Sequence, residues 1–413
     1  MPRPWTLTAP EPYATLPGMR ALFLTSWYPS ADQRQAGVFV REHALAAKSA
    51  GVGVAVVHLP DGQARVRGLW RLERERDETL TAGIPTFRLT SRQIAVPFSR
   101  KLSYWASYGL RLLALAATVR RLRRAGLGAD VIHAHVYTAG AVAVAVRRLV
   151  RVPVVISEHS TAFTRRTLDR GTEKRARYAF ARADRVLPVS ECLRQAIEAY
   201  DMTGRFEVVS NAVDPAIFHP DAGSAAEAGG MSTPRRLLFV GGLEPTEHKG
   251  FPTLARALAY VAKTRPDWRL DVVGDGPSRA ASEELIGTLD LADRVVFLGY
   301  RPKPEIAELM RGADAFVLPS RFETQGVVLL EAMMCGLPIV STTAGAIPEV
   351  VPPDAGILVS PDDDAALAGA IEAVLWGARR FDGAAISAAA TGRYATAVIG
   401  RRLLEVYESV VRG

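Results

Sequence analysis

The sequence predicts an α/β protein built from two doubly wound, Rossmann-like domains facing across a cleft. Three observations predict it. Short β-branched apolar runs alternate with helical patterns along all 413 residues. These runs are almost continuously apolar, as in strands of a parallel sheet covered on both faces. A stretch without periodicity, "FHPDAGSAAEAGGMSTP" at 218–234, separates two halves and has the Gly, Ser and Pro content of a linker.

The strand candidates of the first half are 20–26, 53–58, 130–134, 153–157, 184–189 and 206–209. Those of the second half are 236–241, 269–274, 294–298, 314–318, 338–342 and 356–359. The boundaries that follow are a leader over 1–18, a first domain over 19–215, a linker over 216–234, a second domain over 235–393 and a final segment over 394–413. The leader, with five prolines and no apolar core, does not read as a secretory signal, and Met19 is an alternative start. Ligands in doubly wound sheets bind beyond the C-terminal strand ends, so functional residues are sought there.

Composition narrows the classes. Hydrophobic residues make up 48% and charged residues 23%, an ordinary globular balance. Two cysteines, Cys192 and Cys335, are too few for a disulfide framework and read as free thiols in a reducing cytosol. The net charge of +8 is uneven: residues 1–211 carry +15 and residues 212–413 carry −7. A basic half suggests an anionic partner such as a membrane surface or an acidic substrate. No acidic residue occurs from Thr79 to Ala129, where nine basic ones stand. This stretch includes "RKLSYWASYGLRLLALAATVRRLRR" at 100–124, with aromatic residues near one end and arginines at the other. It fits either an interfacial helix on anionic lipid or an amphipathic core helix with a solvated basic face.

The chemistry-bearing segments sit at strand ends. In "RFETQGVVLLEAMMCG" (321–336), Glu323 precedes a predicted buried helix and Glu331 lies inside it. At about 1.5 Å per residue they are separated by up to ~12 Å, roughly the reach from a ribose across a pyrophosphate to a sugar. The amides of Gly326, Val327 and Val328 would face the anion between them. The alternative is that Glu323 caps the helix and Glu331 pairs with an arginine. "FVGGLEPTEHKGFPTL" (239–254) offers two glycines and Lys249 to a phosphate but lacks P-loop spacing. "VVGDGP" (272–277) is one glycine short of the dinucleotide fingerprint. In the first half, Gly37 follows the first strand. His133 and His135 share one strand face, and His159 ends the next strand. Three histidines raise a zinc site, but no cysteine or carboxylate completes a ligand set at typical spacing, so no metal is expected. The Asp362–Asp364 run reads as a helix N-cap.

Taken in order, "YP…AGVFVREHA…AGVGVAVV", "DVIHAH", "ADRVLPVSE", "VVSNAVDPAIFHP", "LLFVGGL…HKGFPTL", "DVVGDGP", "VVFLGY", "ADAFVLPSRFETQGVVLLEAMMCGLPIVSTTAGAIPEVV" and "GILVSPDD" resemble the retaining GT-B glycosyltransferases of the GT4 type. The resemblance covers most of the chain from Met19 onward. It implies transfer of a sugar, with retention, from a UDP- or GDP-linked donor to a glycan or lipid-linked acceptor in cell-surface polysaccharide or glycolipid synthesis. It makes the first domain the acceptor domain and the second the nucleotide-sugar domain, with the final helix crossing back onto the first.

By the same resemblance, Glu323 touches the donor sugar, Glu331 the ribose and Lys249 the pyrophosphate. Gly37 approaches the phosphate from the first domain, and His135 lies beside the reacting sugar face. Gly326, Val327 and Val328 offer amides, and Gly299 and Tyr300 lie near the base. No metal cofactor and no nucleic acid are expected. The expected location is the cytoplasm, peripheral on the inner membrane face through residues 100–124. Three departures stand out: Gly242 where the pattern has Arg, with Arg301 or Arg41 as possible substitutes; Gln325 where it has Phe; and Ala346 where it has Gly. The competing readings are a Rossmann oxidoreductase, which the incomplete fingerprints disfavour, and a non-catalytic sugar-binding or membrane scaffold.

Overall fold

The computed structural model describes residues 18–33, 35–60, 68–221, 234–377 and 380–412. The expected leader over 1–18 falls outside these residues except for Gly18, and so does the 222–233 part of the expected linker. The chain divides into two compact units. The first comprises residues up to Val189, Arg194–Ala212 and the segment from Thr396; the second comprises Ser190–Leu193 and Val213–Ala395.

The first unit runs β1 (Arg20–Thr25), α1 (Val38–Ser49), β2 (Gly53–His58), β3 (Trp70–Arg74), α2 (Glu78–Thr81), β4 (Thr86–Ser91), α3 (Arg100–Arg124), β5 (Val131–His135), α4 (Val136–Val150), β6 (Val154–Glu158), α5 (Thr161–Thr164), α6 (Arg170–Phe180) and β7 (Arg185–Pro188). Helix α7 (Glu191–Glu198) follows. The seven-stranded sheet has the order β3-β4-β2-β1-β5-β6-β7, parallel except for β3 against β4. Five of these strands bury every residue or nearly so, which is why the sequence reads them as unbroken apolar runs.

Strands β3 and β4 escape that signal. β3 is "WRLER", an edge strand exposed at four of five positions, and edge strands carry charge because one side faces water. The expected strand at 206–209 is reduced to a single bridge, Val186 to Phe206.

The second unit runs β8 (Arg235–Val240), α8 (Phe251–Thr264), β9 (Trp268–Val273), α9 (Arg279–Thr288), β10 (Val295–Gly299), α10 (Lys303–Arg311), β11 (Ala315–Leu318), α11 (Val327–Met334), β12 (Ile339–Thr342), α12 (Ile347–Val350), β13 (Gly356–Val359), α13 (Asp364–Leu375) and α14 (Gly383–Tyr394). Its six-stranded sheet is fully parallel, in the order β10-β9-β8-β11-β12-β13. Residues 216–221, expected as linker, pack on this unit: Phe218 is buried, and Arg311 pairs with Asp221 at 2.9 Å. An aromatic anchor and an ion pair give that short stretch a place to pack. The side chain of Asp363 caps α13 through the Ala366 amide, as the acidic run suggests.

The last helix, α15 (Thr396–Arg412), belongs to the first unit. It lies along α1 and contributes Ile399, Leu403, Val406 and Tyr407 to that unit's core. The Tyr407 hydroxyl meets His133 Nδ1 at 2.7 Å on β5.

Candidate functional site

Strand order reverses between β8 and β11 in the second unit and between β1 and β5 in the first. Crevices beyond the C-terminal ends of such neighbours are where doubly wound sheets hold ligands. Lys249 and Glu323 lie at the first of these places and His135 at the second, whereas Gly299 and Tyr300 stand at the end of the edge strand β10.

In the second unit, Lys249 lies in the loop between β8 and α8, and Glu323 in the loop between β11 and α11. Lys249 Nζ and Glu323 Oε1 are 2.5 Å apart. Ser320 Oγ donates to the same carboxylate oxygen at 3.0 Å. Glu323 is 6% exposed. Its backbone is clamped too: the Ala346 amide donates to the Glu323 carbonyl at 3.1 Å. Gly345 has φ +56°, and a Cβ there would stand 2.1 Å from that carbonyl oxygen. Only glycine fits such a contact.

Gly326 is the N-cap of α11, and no side chain caps that helix end. Glu323 is therefore engaged with Lys249 and Ser320, not spent as a cap. Val327 and Val328 open the helix, so their amides belong to the first turn, which lacks intrahelical acceptors. Glu331, about one turn on, is buried and pairs with Lys303 Nζ at 3.2 Å. Sequence reading allowed for an arginine in that role and missed Lys303, whose contact depends on α10 packing beside α11. Gly299 ends β10, and Tyr300 follows it half exposed.

The departures take physical form here. A Cβ on Gly242 would meet nothing closer than 3.6 Å, the Glu244 side chain, so that position has room for a side chain. Arg301 is engaged with Glu305 and with the Tyr300 carbonyl. Arg41, in the first unit, contacts Glu42 and the Thr79 carbonyl. Gln325 is buried at 3% exposure.

In the first unit, Gly37 is the N-cap of α1 at φ +64°, and a Cβ would stand 2.2 Å from the Trp27 carbonyl oxygen. The chain after β1 can fold back onto itself only because that position is glycine. His135 ends β5 and is 1% exposed. The next residue, Val136, has φ +68°, which for a β-branched residue is strained by about 1–3 kcal/mol. Glu158, at the end of β6, holds this turn. One of its oxygens accepts from the Tyr137 amide at 2.8 Å, and the other accepts from the His159 and Ser160 amides at 3.0 and 2.9 Å. Complete burial pushes its carboxyl up to about 7, against the pull of those three amides.

The histidines divide by role. His133 is satisfied on both nitrogens, by Tyr407 and by Ser157, and is a core residue. His135 Nδ1 lies 3.3 Å from His159 Nε2, and His135 Nε2 is buried without a partner. His43 of α1 completes the group, which the sequence did not foresee: the ring centres of His43, His135 and His159 are 5.4–5.5 Å apart. Burial depresses the pKa of all three.

Comparison with known proteins adds to this geometry. Residues 36–217 match the family model Glycosyltransferase Family 4, and residues 234–376 match Glycosyl transferases group 1. The D-inositol 3-phosphate glycosyltransferase of Frankia alni is 33% identical over 306 residues, 65% of this chain and 72% of that one. The solved structure of Anabaena HepE, in complex with UDP and glucose, superposes with a TM-score of 0.71 at 23% identity, covering 95% of this chain and 100% of that one. Sucrose-phosphate synthase of Thermosynechococcus elongatus gives 0.70 at 21% identity, covering 95% and 99%. Both are two-domain parallel-sheet proteins of the GT-B class, and the two units described above share that fold. The chain is a glycosyltransferase and belongs to the group 1, family 4 glycosyltransferases.

Proposed function

We propose that the protein moves a hexose from a UDP- or GDP-linked donor to a glycan or lipid-linked acceptor, retaining the anomeric configuration, in the synthesis of a cell-surface polysaccharide or glycolipid. The Lys249–Glu323 pair at the β8/β11 crevice carries this reading. It joins, at 2.5 Å, the cation for a pyrophosphate and the carboxylate for a sugar.

When a donor enters, Lys249 exchanges Glu323 for phosphate oxygens. Glu323 turns to sugar hydroxyls and Glu331 to the ribose. Lys249 and the first-turn amides of α11 stabilise the charge that develops on the departing pyrophosphate, as preorganised donors do. This division of labour gives a metal-independent reaction. His135 stands beside the sugar, and attack comes from the face the leaving group vacates. Gly37 approaches the phosphate, and Gly299 and Tyr300 the base.

No helix among the described residues is long and apolar enough to cross a membrane. Helix α3 instead presents exposed Leu102, Tyr104, Trp105 and Leu113, with Phe98 exposed just before it and three arginines in its last turn. This mixture suits the interface of an anionic bilayer, at the inner face where a lipid-linked acceptor waits. A panel of UDP- and GDP-sugars tests the main reading. It expects one donor to be consumed with EDTA present and a product of unchanged anomeric configuration by proton NMR. Inversion, or dependence on added metal, overturns the corresponding part. Sedimentation with phosphatidylglycerol vesicles tests the membrane part, with Trp105→Ala and Leu102→Ala expected to weaken association.

A further inference from the structure

In the first unit, three histidines meet with no counter-charge among them. His43, His135 and His159 each offer a ring nitrogen, and these atoms all lie within 4.8 Å of one another. We propose that His43, His135 and His159 bind a transition-metal ion of the zinc class, and that an ion held there takes His135 away from the donor sugar. The binding stands on this geometry alone. The inhibitory consequence rests on the reading of His135 as a donor-site residue.

Distances support the site. Zinc binds histidine nitrogen at about 2.0–2.1 Å, so two nitrogens of a tetrahedral set stand about 3.3 Å apart and their ring centres about 5 Å apart. His135 Nδ1 and His159 Nε2 are 3.3 Å apart, and the three ring centres form a near-equilateral triangle of 5.4, 5.5 and 5.5 Å. Bringing the widest nitrogen gap to the tetrahedral edge takes side-chain movements of at most about 1.5 Å.

The protonation pattern supports it as well. His43 Nε2 lies 3.1 Å from the Ser210 carbonyl, which can only accept, so the ring proton sits on Nε2. That leaves Nδ1 with a lone pair, and Nδ1 is buried without a hydrogen-bond partner. A backbone carbonyl on the far nitrogen is also the usual way in which a ligand histidine is oriented. His159 is steadied by the Asn211 side chain and by Phe39, whose ring centre is 4.3 Å away. His159, at intermediate exposure, is the least buried of the three. Three histidines leave a fourth tetrahedral position for water.

The test is titration of the full chain with zinc chloride against a chromophoric chelator, with cobalt(II) as a spectroscopic probe. The proposal expects one ion per chain, tetrahedral cobalt bands in the visible, and about tenfold or greater loss of affinity in His43→Ala and in His159→Ala. His219→Ala, at an exposed histidine of the second unit, should change nothing. Unchanged affinity in both variants, or an octahedral cobalt spectrum, overturns the site. If the variants fail to fold, the wild-type cobalt spectrum and the ligand shell from X-ray absorption decide. Zinc should also suppress transfer reversibly, with EDTA restoring it. Stoichiometric zinc binding with full transfer would overturn the inhibitory consequence and leave the site standing. Failure to transfer from any nucleotide sugar would instead overturn the function proposed above, with zinc binding still measurable.

Discussion

Lys249 and Glu323 stand 74 positions apart in sequence and 2.5 Å apart in space, in two loops that leave adjacent strands of the second unit. The pair is largely shielded, with side-chain exposures of 21% and 8%. Removing one member of such a pair strands the other. Glu323→Gln keeps the shape and removes the charge. It should lower transfer by about two orders of magnitude or more, the scale on which a preorganised electrostatic partner acts. The melting temperature should move by only a few degrees, because Lys249 retains access to water. A variant with near-wild-type turnover would remove Glu323 from the donor site.

Gly242 invites a gain of function. The space around its Cβ direction is open to 3.6 Å, and the position adjoins the loop that carries Lys249. Gly242→Arg should fold normally and lower the donor KM several-fold, since one further cation near a phosphate contributes on the order of 1 kcal/mol. Isothermal titration with UDP and GDP would show it. Weaker binding in the variant would mean that phosphate charge is already balanced.

Glu158 positions the turn that carries His135 and takes no part in the chemistry itself. Gln in its place keeps one acceptor but sets an NH2 group against a backbone N–H. Loss of one such buried bond costs about 1–3 kcal/mol. Glu158→Gln should reduce kcat about tenfold while the donor KM stays close to wild type. It should also raise amide exchange at Tyr137, His159 and Ser160. Normal exchange at those amides would contradict the assignment.

Acid should weaken the first unit. Burial lowers His43 from 6.5 to about 4 and holds His133, His135 and His159 well below 6.5. The unfolded chain therefore takes up these protons first, and the stability these groups provide is complete above about pH 6.5 and drains away as pH falls toward 4. For His43 alone the full effect is about 3 kcal/mol. Glu158 opposes this. Its raised pKa makes its contribution full below about 4.5 and lost as pH climbs through 7. Four histidines against one carboxylate leave a net loss, so the melting temperature at pH 5 should lie several degrees below that at pH 7. A flat profile would show that the histidines do not stay neutral in the fold.

The parallel sheets and much of the second-unit site were legible in the sequence for a common reason. Strands buried on both faces write themselves as apolar runs, and Lys249, Glu323 and Gly326 stand just past such runs. What stayed hidden depends on topology. Lys303 meets Glu331 only because α10 packs beside α11. His43 meets His135 and His159 because α1 crosses the ends of β5 and β6, and nothing in "VREHA" signals that crossing. Glu158 looks like a strand-end acid until its three amide partners are seen. Strand β3 was missed because an edge strand can be written largely in charged residues, and β4, inside the sheet, because "TFRLTS" is only half buried and breaks the apolar run with Arg88 and Thr90.

Helix α15 sets an order of events. Its buried Ile399, Leu403, Val406 and Tyr407 close the core of the first unit, and each such side chain is worth about 1.5–3 kcal/mol when fully buried. On the ribosome the first unit is made early, but its last structural piece arrives only after the whole second unit has been synthesised. Until then the α1 face and His133 wait uncovered. Domains made first usually fold first. Here the second unit, continuous from Val213 to Ala395 and joined only by the earlier four residues Ser190–Leu193, is placed to mature ahead of its predecessor. The first sheet would then stay open to chaperones until the chain's final turns emerge.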